Sequence, residues 1–258
     1  GGEVIKVEKA TTGGDVPRRW KGPGEEADGL FSAYYASINY GKESRMLNLT
    51  RDADREEVYG LIRKADIVLT NFRPLAARRF GLSIPDLRAL KPDLLIGALS
   101  AFGEDSDRPA FDVVLKGEGG YLFMCGSKDG PPAKMPVALI DLLAAHQLKE
   151  GLLCGYIRRL RTGQGCVVQV SLLDAAITSL ANQATNWLMG RFNPVRMGTQ
   201  HPNIAPYGDI FTCKDGKPII LAAGTEKHFI SLCEVLGLNE LPTLEEFATN
   251  ARRVRRRE

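Results

Sequence analysis

Short runs of Val, Ile and Leu alternate with longer amphipathic stretches through the first two-thirds of the chain, and this alternation most narrowly limits how it folds. The runs are Glu3 to Glu8 (EVIKVE), Arg45 to Thr50 (RMLNLT), Ala65 to Phe72 (ADIVLTNF), Leu94 to Phe102 (LLIGALSAF) and Val167 to Leu172 (VVQVSL). They have the length and composition of buried strands. Between them, Arg55 to Lys64 sets Val58, Leu61 and Ile62 against a charged side, and Pro85 to Leu90 places its proline in a first helical turn. Strands separated by helices predict an α/β protein with a doubly wound, mainly parallel sheet covered on both faces.

The longest predicted helix runs from Asp141 to Arg161. Asp141 stands where an N-cap belongs, Leu148, Leu152, Tyr156 and Leu160 recur every four residues, and Gly163 follows the basic last turn as a stop. A second helix is predicted over Leu173 to Met189. The loop-like segment Gly190 to Pro206 reads as a linker. Beyond it, Asp209 to Cys213 and Lys217 to Ala222 flank Lys214-Asp215-Gly216, a hairpin turn, and helices are predicted at Glu226 to Leu236 and Thr243 to Arg257. The division is therefore a large Rossmann-like domain over residues 1–189, a linker over 190–207 and the start of a smaller α+β domain over 208–258.

Composition narrows the function classes. Of the 258 residues 44% are hydrophobic and 25% charged, which suits a packed core rather than a disordered or fibrous chain. The net charge of +3 lies largely in the last eight residues, where Arg252, Arg253, Arg255, Arg256 and Arg257 face only Glu258. The body is near neutral, with no basic stripe of the kind a nucleic acid would need. No apolar run approaches the ~18 residues of a membrane span. Five cysteines without a CxxC pair suggest neither a disulfide framework nor a zinc site, so the expected compartment is reducing: cytoplasm, or a mitochondrial or peroxisomal matrix. A strand at the first residues and an arginine-rich helix at the last suggest a chain cut at both ends.

Nucleotide and hydrolase motifs are missing from the sequence. The clusters Gly13-Gly14 and Gly117-Glu118-Gly119-Gly120 do not match a dinucleotide loop, and no P-loop, nucleophile elbow or zinc-binding HExxH occurs. His146, His201 and His228 are isolated. Two segments could carry chemistry. Asp141 lies among apolar residues in Met135-Pro-Val-Ala-Leu-Ile-Asp-Leu-Leu-Ala-Ala, where a carboxylate serves as a helix cap or as a nucleophile in a water-poor site. Asn71-Phe72-Arg73-Pro74 ends a predicted strand at the ligand-binding edge of a doubly wound sheet, followed by Arg78-Arg79-Phe80-Gly81. Aromatic rings there suit stacking on a base and arginines suit phosphate; a turn with a solvated basic face is the plainer alternative.

The ordered blocks EVIKVEK, ASINYGKESRMLNLT, ADIVLTNFRP with RRFGLS, ALSAFGE followed by RPAFD, DGPPAKMPVALIDLLAA, RTGQGCVVQVSLLDAA, NQATNWLMG and RMGTQHPNIAPY resemble the family III CoA-transferases. That group includes the formyl-CoA and carnitine CoA-transferases and the α-methylacyl-CoA racemases. The resemblance implies that Asp141 is the catalytic nucleophile, attacking the thioester of an acyl-CoA. It implies CoA contacts at Lys9, Leu47, Asn71, Phe72, Arg73, Ala76, Arg79, Phe80 and Phe111, with Arg79 on phosphate and Phe80 beside adenine. The implied reaction moves CoA from an acyl-CoA, with succinyl-CoA suggested by the Asn182 to Trp187 and His201 to Tyr207 blocks, to a small carboxylic acid. CoA thioester enters as substrate, and no metal or resident cofactor is implied.

The racemase branch uses a histidine in a Gly-His-Asp block as a second acid/base. Here the block reads Ala110-Phe111-Asp112, and a phenyl ring exchanges no proton, so the transferase branch is favoured. The remaining alternative is an inactive CoA-binding fragment. The family forms homodimers of two interlocked rings, and it normally has a strand and helix before the point where this sequence starts and further chain after Glu258. The family's arginine at the Lys9 position is replaced by a lysine, which keeps the charge and loses the bidentate fork.

Overall fold

The computed structural model describes residues 2–257; Gly1 and Glu258, and with it the acid expected to face the terminal arginines, lie outside the described residues. In chain order, β1 (Ile5–Lys9) leads through α1 (Ala33–Asn39) to β2 (Glu43–Leu47), and α2 (Asp52–Lys64) leads to β3 (Ile67–Thr70). Two short helices, α3 (Pro74–Phe80) and α4 (Ile84–Leu90), precede β4 (Leu95–Ser100). Then come α5 (Asp112–Glu118), α6 (Tyr121–Met124), α7 (Leu139–Thr162) and β5 (Cys166–Ser171). The remainder is α8 (Leu172–Thr178), α9 (Asn182–Gly190), the hairpin β6 (Tyr207–Thr212) and β7 (Pro218–Ala222), α10 (Glu226–Val235) and α11 (Asn250–Arg255).

The chain forms two compact units, each drawn from two stretches. One comprises the described residues up to Pro109 with His146–Ser171, and the other Ala110–Ala145 with the residues from Leu172 on. The first unit holds two parallel sheets: β1 pairs with β2, and β3, β4 and β5 form a three-stranded sheet in that order. Its core explains why these runs are strands. Leu94 and Ile96 pack with Val58 and Ile62 of α2, Leu87 of α4 and Leu47 of β2. Leu95 points the other way and packs with Leu148 and Leu152 of α7. Successive side chains of a strand face opposite sides, so β4 is covered by helices on both faces, the doubly wound arrangement the alternation predicts. Glycines bring α7 close to β5: a Cβ on Gly151 would lie 2.5 Å from Val168 Cγ1, and one on Gly155 2.4 Å from Cys166 Sγ.

A second knot in this unit was invisible as a motif. Glu8 of β1 is buried at 4% exposure and receives Arg18 Nε and Nη2 at 2.7 Å each, Tyr35 Oη and Ser44 Oγ at 2.6 Å each and the Asp15 amide at 2.8 Å. These donors come from α1, β2 and the loop after β1. The carboxylate is fully satisfied and is held well below the ordinary 4.5, first by Arg18 and then by the hydroxyls of Ser44 and Tyr35, against the opposing effect of burial.

Several boundaries differ from the sequence reading. The helix predicted over Leu173 to Met189 is two helices, α8 and α9, because Ala181 takes φ 50° between them. Of the helix predicted from Thr243 to Arg257 only Asn250–Arg255 forms, capped by the Thr249 side chain. Three of the five terminal arginines find acids among the described residues: Arg252 pairs with Glu245 at 3.0 Å, Arg253 with Glu226 at 2.7 Å and Arg256 with Glu246 at 3.2 Å. Arg257 donates to the His201 and Ile204 carbonyls. The four-residue stripe on α7 also fails at its end. Ile140, Ala144, Leu148 and Leu152 are buried, whereas Tyr156 and Leu160 are exposed. A step of four residues walks about 40° around a helix of 3.6 residues per turn, so a strict stripe leaves the core face after about three steps. The predicted hairpin does form, with Gly216 at φ 80° in its turn.

Candidate active site

Asp141 is not an N-cap. Helix α7 begins at Leu139, which places Asp141 third in the first turn, among the amides that lack intrahelical partners. The capping is supplied from outside the helix: Asp112 Oδ1 accepts the Ile140 amide at 2.8 Å. Asp112 Oδ2 pairs at 2.7 Å with Lys116, one turn further along α5. The Lys116 ammonium also donates to the Met135 carbonyl at 3.2 Å and to the Val137 carbonyl. Lys116 is only 1% exposed and Asp112 9%. An ion pair this deep is stable only when its remaining donors and acceptors are satisfied, as they are here.

This knot fixes the stretch that enters α7. Its electrostatics reach Asp141, whose carboxyl is pushed above its ordinary value by burial and by the Asp112 charge, with Lys116 acting in the opposite sense. The residue as a whole remains exposed to solvent. A carboxylate held at a helix start, partly desolvated and open on one side, suits nucleophilic attack on an acyl carbon. Asp112 and Lys116 were not singled out as a pair in the sequence. The signal was there: Asp112-Val-Val-Leu-Lys116 places two opposite charges at i and i+4 in an otherwise apolar turn.

In the first unit the strand-end residues lie on the turn after β3. Asn71, Phe72 and Arg73 join the C-terminal end of β3 to α3, and all three are exposed. Asp107 holds the start of α3, accepting the Leu75 amide at 3.1 Å on its side chain and Arg73 Nη1 at 3.2 Å on its carbonyl. The rings of Phe72 and Phe80 lie 5.9 Å apart at 58°, and the Arg79 guanidinium sits 5.8 Å from the Phe80 centroid. Ala76, half-buried, occupies the turn between them. Lys9 and Leu47 are register partners at the ends of β1 and β2; Lys9 is exposed, whereas the Leu47 side chain belongs to the core. Phe111 belongs to the second unit, 69% exposed and immediately before α5. A cavity of about 1800 Å³ in the second unit, lined among others by Asn186, Met189, Arg196 and Phe211, contains none of these residues.

Among the described residues no cluster of three His, Cys, Asp or Glu side chains could hold a metal, and no helix is long and apolar enough to cross a membrane. All five cysteines are free thiols.

The first unit has parallel strands covered by helices with an aromatic and arginine edge at one strand end, and the second has a partly desolvated carboxylate in the first turn of a helix. The chain belongs to CoA-transferase family III, whose sequence model matches residues 1–258. It is 36% identical over 260 residues to the succinate–glutarate CoA-transferase of Agrobacterium fabrum, an alignment covering 98% of this chain and 64% of that protein. It is 30% identical over 260 residues to the succinyl-CoA:glutarate CoA-transferase of Homo sapiens, covering 100% of this chain and 58% of the relative. The crystal structure of a CAIB/BAIF family protein from Brucella suis superposes with a TM-score of 0.79 at 35% identity, over 100% of this chain and 68% of that one. The chain thus spans about 60% of the length of the curated relatives it matches.

Proposed function

We propose that this chain carries the nucleophile and much of the CoA-binding surface of an acyl-CoA:carboxylate CoA-transferase, with succinyl-CoA as donor and a small dicarboxylic acid as acceptor. The observation that carries this reading is Asp141, partly desolvated in the first turn of α7 on a segment pinned by Asp112 and Lys116. The names of two relatives, which join succinate or succinyl-CoA to glutarate, support the substrate class.

In this mechanism an Asp141 oxygen attacks the thioester carbonyl, the C–S bond breaks and CoA thiolate leaves, giving a mixed anhydride. The thiolate then attacks the aspartyl carbonyl, releasing the donor acid as carboxylate and forming an aspartyl-CoA thioester. The acceptor carboxylate attacks that thioester and expels thiolate, making a second anhydride. Thiolate finally attacks the new acyl carbon and restores Asp141. No proton is gained or lost over the cycle, so the four transfers need a carboxylate nucleophile and no separate general acid or base. Phe111 stands where a racemase would need a histidine, so α-proton exchange is not favoured.

Arg79 and Arg73 hold phosphate, Phe72 and Phe80 flank adenine, and Asn71, Ala76 and Lys9 line the CoA arm, with Leu47 meeting it through its backbone. The whole protein divides into a large domain to residue 189, a linker and a smaller domain, and works as a homodimer. Its free thiols suit a reducing compartment. Incubation with succinyl-CoA followed by hydroxylamine leaves a hydroxamate on Asp141, detected by peptide mass spectrometry. Turnover retained by Asp141→Ala, or solvent deuterium entering the α-carbon without acyl transfer, refutes the proposal.

A further inference from the structure

Lys116 has no task in the acyl transfers just described, yet it is among the most deeply buried large side chains of the protein. Lysine stems normally carry the ammonium out to water. Here Nζ meets Asp112 Oδ2 at 2.7 Å and the carbonyls of Met135 and Val137, so all three donors are used. The two carbonyls lie six and four residues before Asp141, and the amide that Asp112 caps lies one residue before it. Beyond their bond to each other, the hydrogen bonds described for this pair are thus made with the segment that delivers Asp141. A residue needed only to fill space would be apolar, because burying an ion pair gains little stability over a hydrophobic replacement.

We infer that Lys116 is a positioning residue for Asp141: its three donors fix the 135–137 segment against α5, and its charge balances Asp112 so that Asp141 does not face an uncompensated carboxylate. The inference rests on the acyl transfer proposed above. Charge accounts for half of it. The charged groups acting on Asp141 are Asp112 and Lys116, both from α5, and they act in opposite directions. Without Lys116, the Asp112 charge and burial are left to favour the protonated, non-nucleophilic acid. Geometry accounts for the rest, since a nucleophile displaced by about 1 Å loses on the order of a hundredfold in rate.

The test compares Lys116→Met, which keeps the apolar stem, with Lys116→Arg, which keeps charge and donors. Two readouts are taken. One is the carboxyl ¹³C titration of Asp141, assigned with Asp141→Asn; the other is the rate of succinyl-CoA-dependent hydroxamate formation at Asp141. In Lys116→Met the titration midpoint moves upward and the hydroxamate rate at neutral pH falls roughly tenfold to a hundredfold, whereas Lys116→Arg stays near wild type in both. A folded Lys116→Met with wild-type midpoint and rate overturns the inference. If that variant does not fold, Asp112→Asn/Lys116→Met replaces it, because the amide oxygen still caps Ile140; with the Asp112 charge gone only the geometric part remains, so a smaller loss of rate supports the inference and a wild-type rate overturns it. If wild-type protein forms no hydroxamate at Asp141, the proposed function fails, and the titration midpoint alone decides the role of Lys116.

Discussion

Replacing Glu8 by Gln removes the charge from a carboxylate that has five donors and no exposed side-chain surface. The two Arg18 bonds are charge-assisted, and bonds of that kind contribute about 1.5–3 kcal/mol each. Their loss also strands a guanidinium whose side chain is only 14% exposed, and orphaning one member of a buried pair costs about 3–5 kcal/mol. The larger figure already contains the smaller, so the expected cost is about 4 kcal/mol at neutral pH. With a urea slope of about 2 kcal/mol/M this moves the unfolding midpoint down by about 2 M. The reporter is Trp20, whose ring lies 5.0 Å from Tyr34 of α1, with Trp187 changed to Phe so that it reports alone. The pH dependence follows from linkage. The folded-state pKa of Glu8 is depressed, so its contribution is fully present above the ordinary 4.5 and is lost as pH falls below that value. Wild type and Glu8→Gln therefore converge in acid. Tyr35→Phe, which removes one neutral donor, costs about 1–2 kcal/mol. A Glu8→Gln midpoint within about 0.3 M of wild type, or effects of Glu8→Gln and Arg18→Met that simply add, refutes the account of this network.

Asp141→Asn abolishes hydroxamate formation yet leaves the protein at least as stable as wild type once pH rises past the ordinary 3.8. The sign follows from its raised folded-state pKa: as pH rises, the unfolded chain releases this proton first, so ionised Asp141 opposes folding. Thermal unfolding of both proteins across pH checks this, and a clear loss of stability in the variant would contradict it. Arg79→Ala weakens CoA binding roughly tenfold to a hundredfold by titration calorimetry, the worth of one charge-assisted phosphate contact, with unfolding unchanged because the side chain is exposed. Gly155→Val costs about 1–3 kcal/mol, since its Cβ position is 2.4 Å from Cys166 Sγ where α7 lies on β5; thermal melting near wild type would show that the two elements separate freely.

Strand and helix content was legible because it depends on local pattern. Val, Ile and Leu runs of strand length and the charged and apolar sides of Arg55 to Lys64 place β1, β3, β4, β5 and α2 within a few residues of where they form. The position of Asn71 and Phe72 at the end of β3 was legible for a related reason, since the apolar run stops there. The break at Ala181 and the shortened C-terminal helix were not. A single residue at positive φ, and arginines that reach back to Glu226, Glu245 and Glu246, leave no periodic trace.

By itself the sequence determined a parallel α/β protein with Asp141 at the mouth of its longest helix, because periodicity and residue type suffice for both. Tertiary structure alone decided what surrounds that aspartate. The cap belongs to Asp112, 28 residues before the Ile140 it bonds, and the counter-charge to a lysine whose exposure no local pattern predicts. Glu8 and its donors Arg18, Tyr35 and Ser44 likewise meet only after the chain closes. In both places a buried charge finds partners distant in sequence, and a low-dielectric interior makes those contacts decisive.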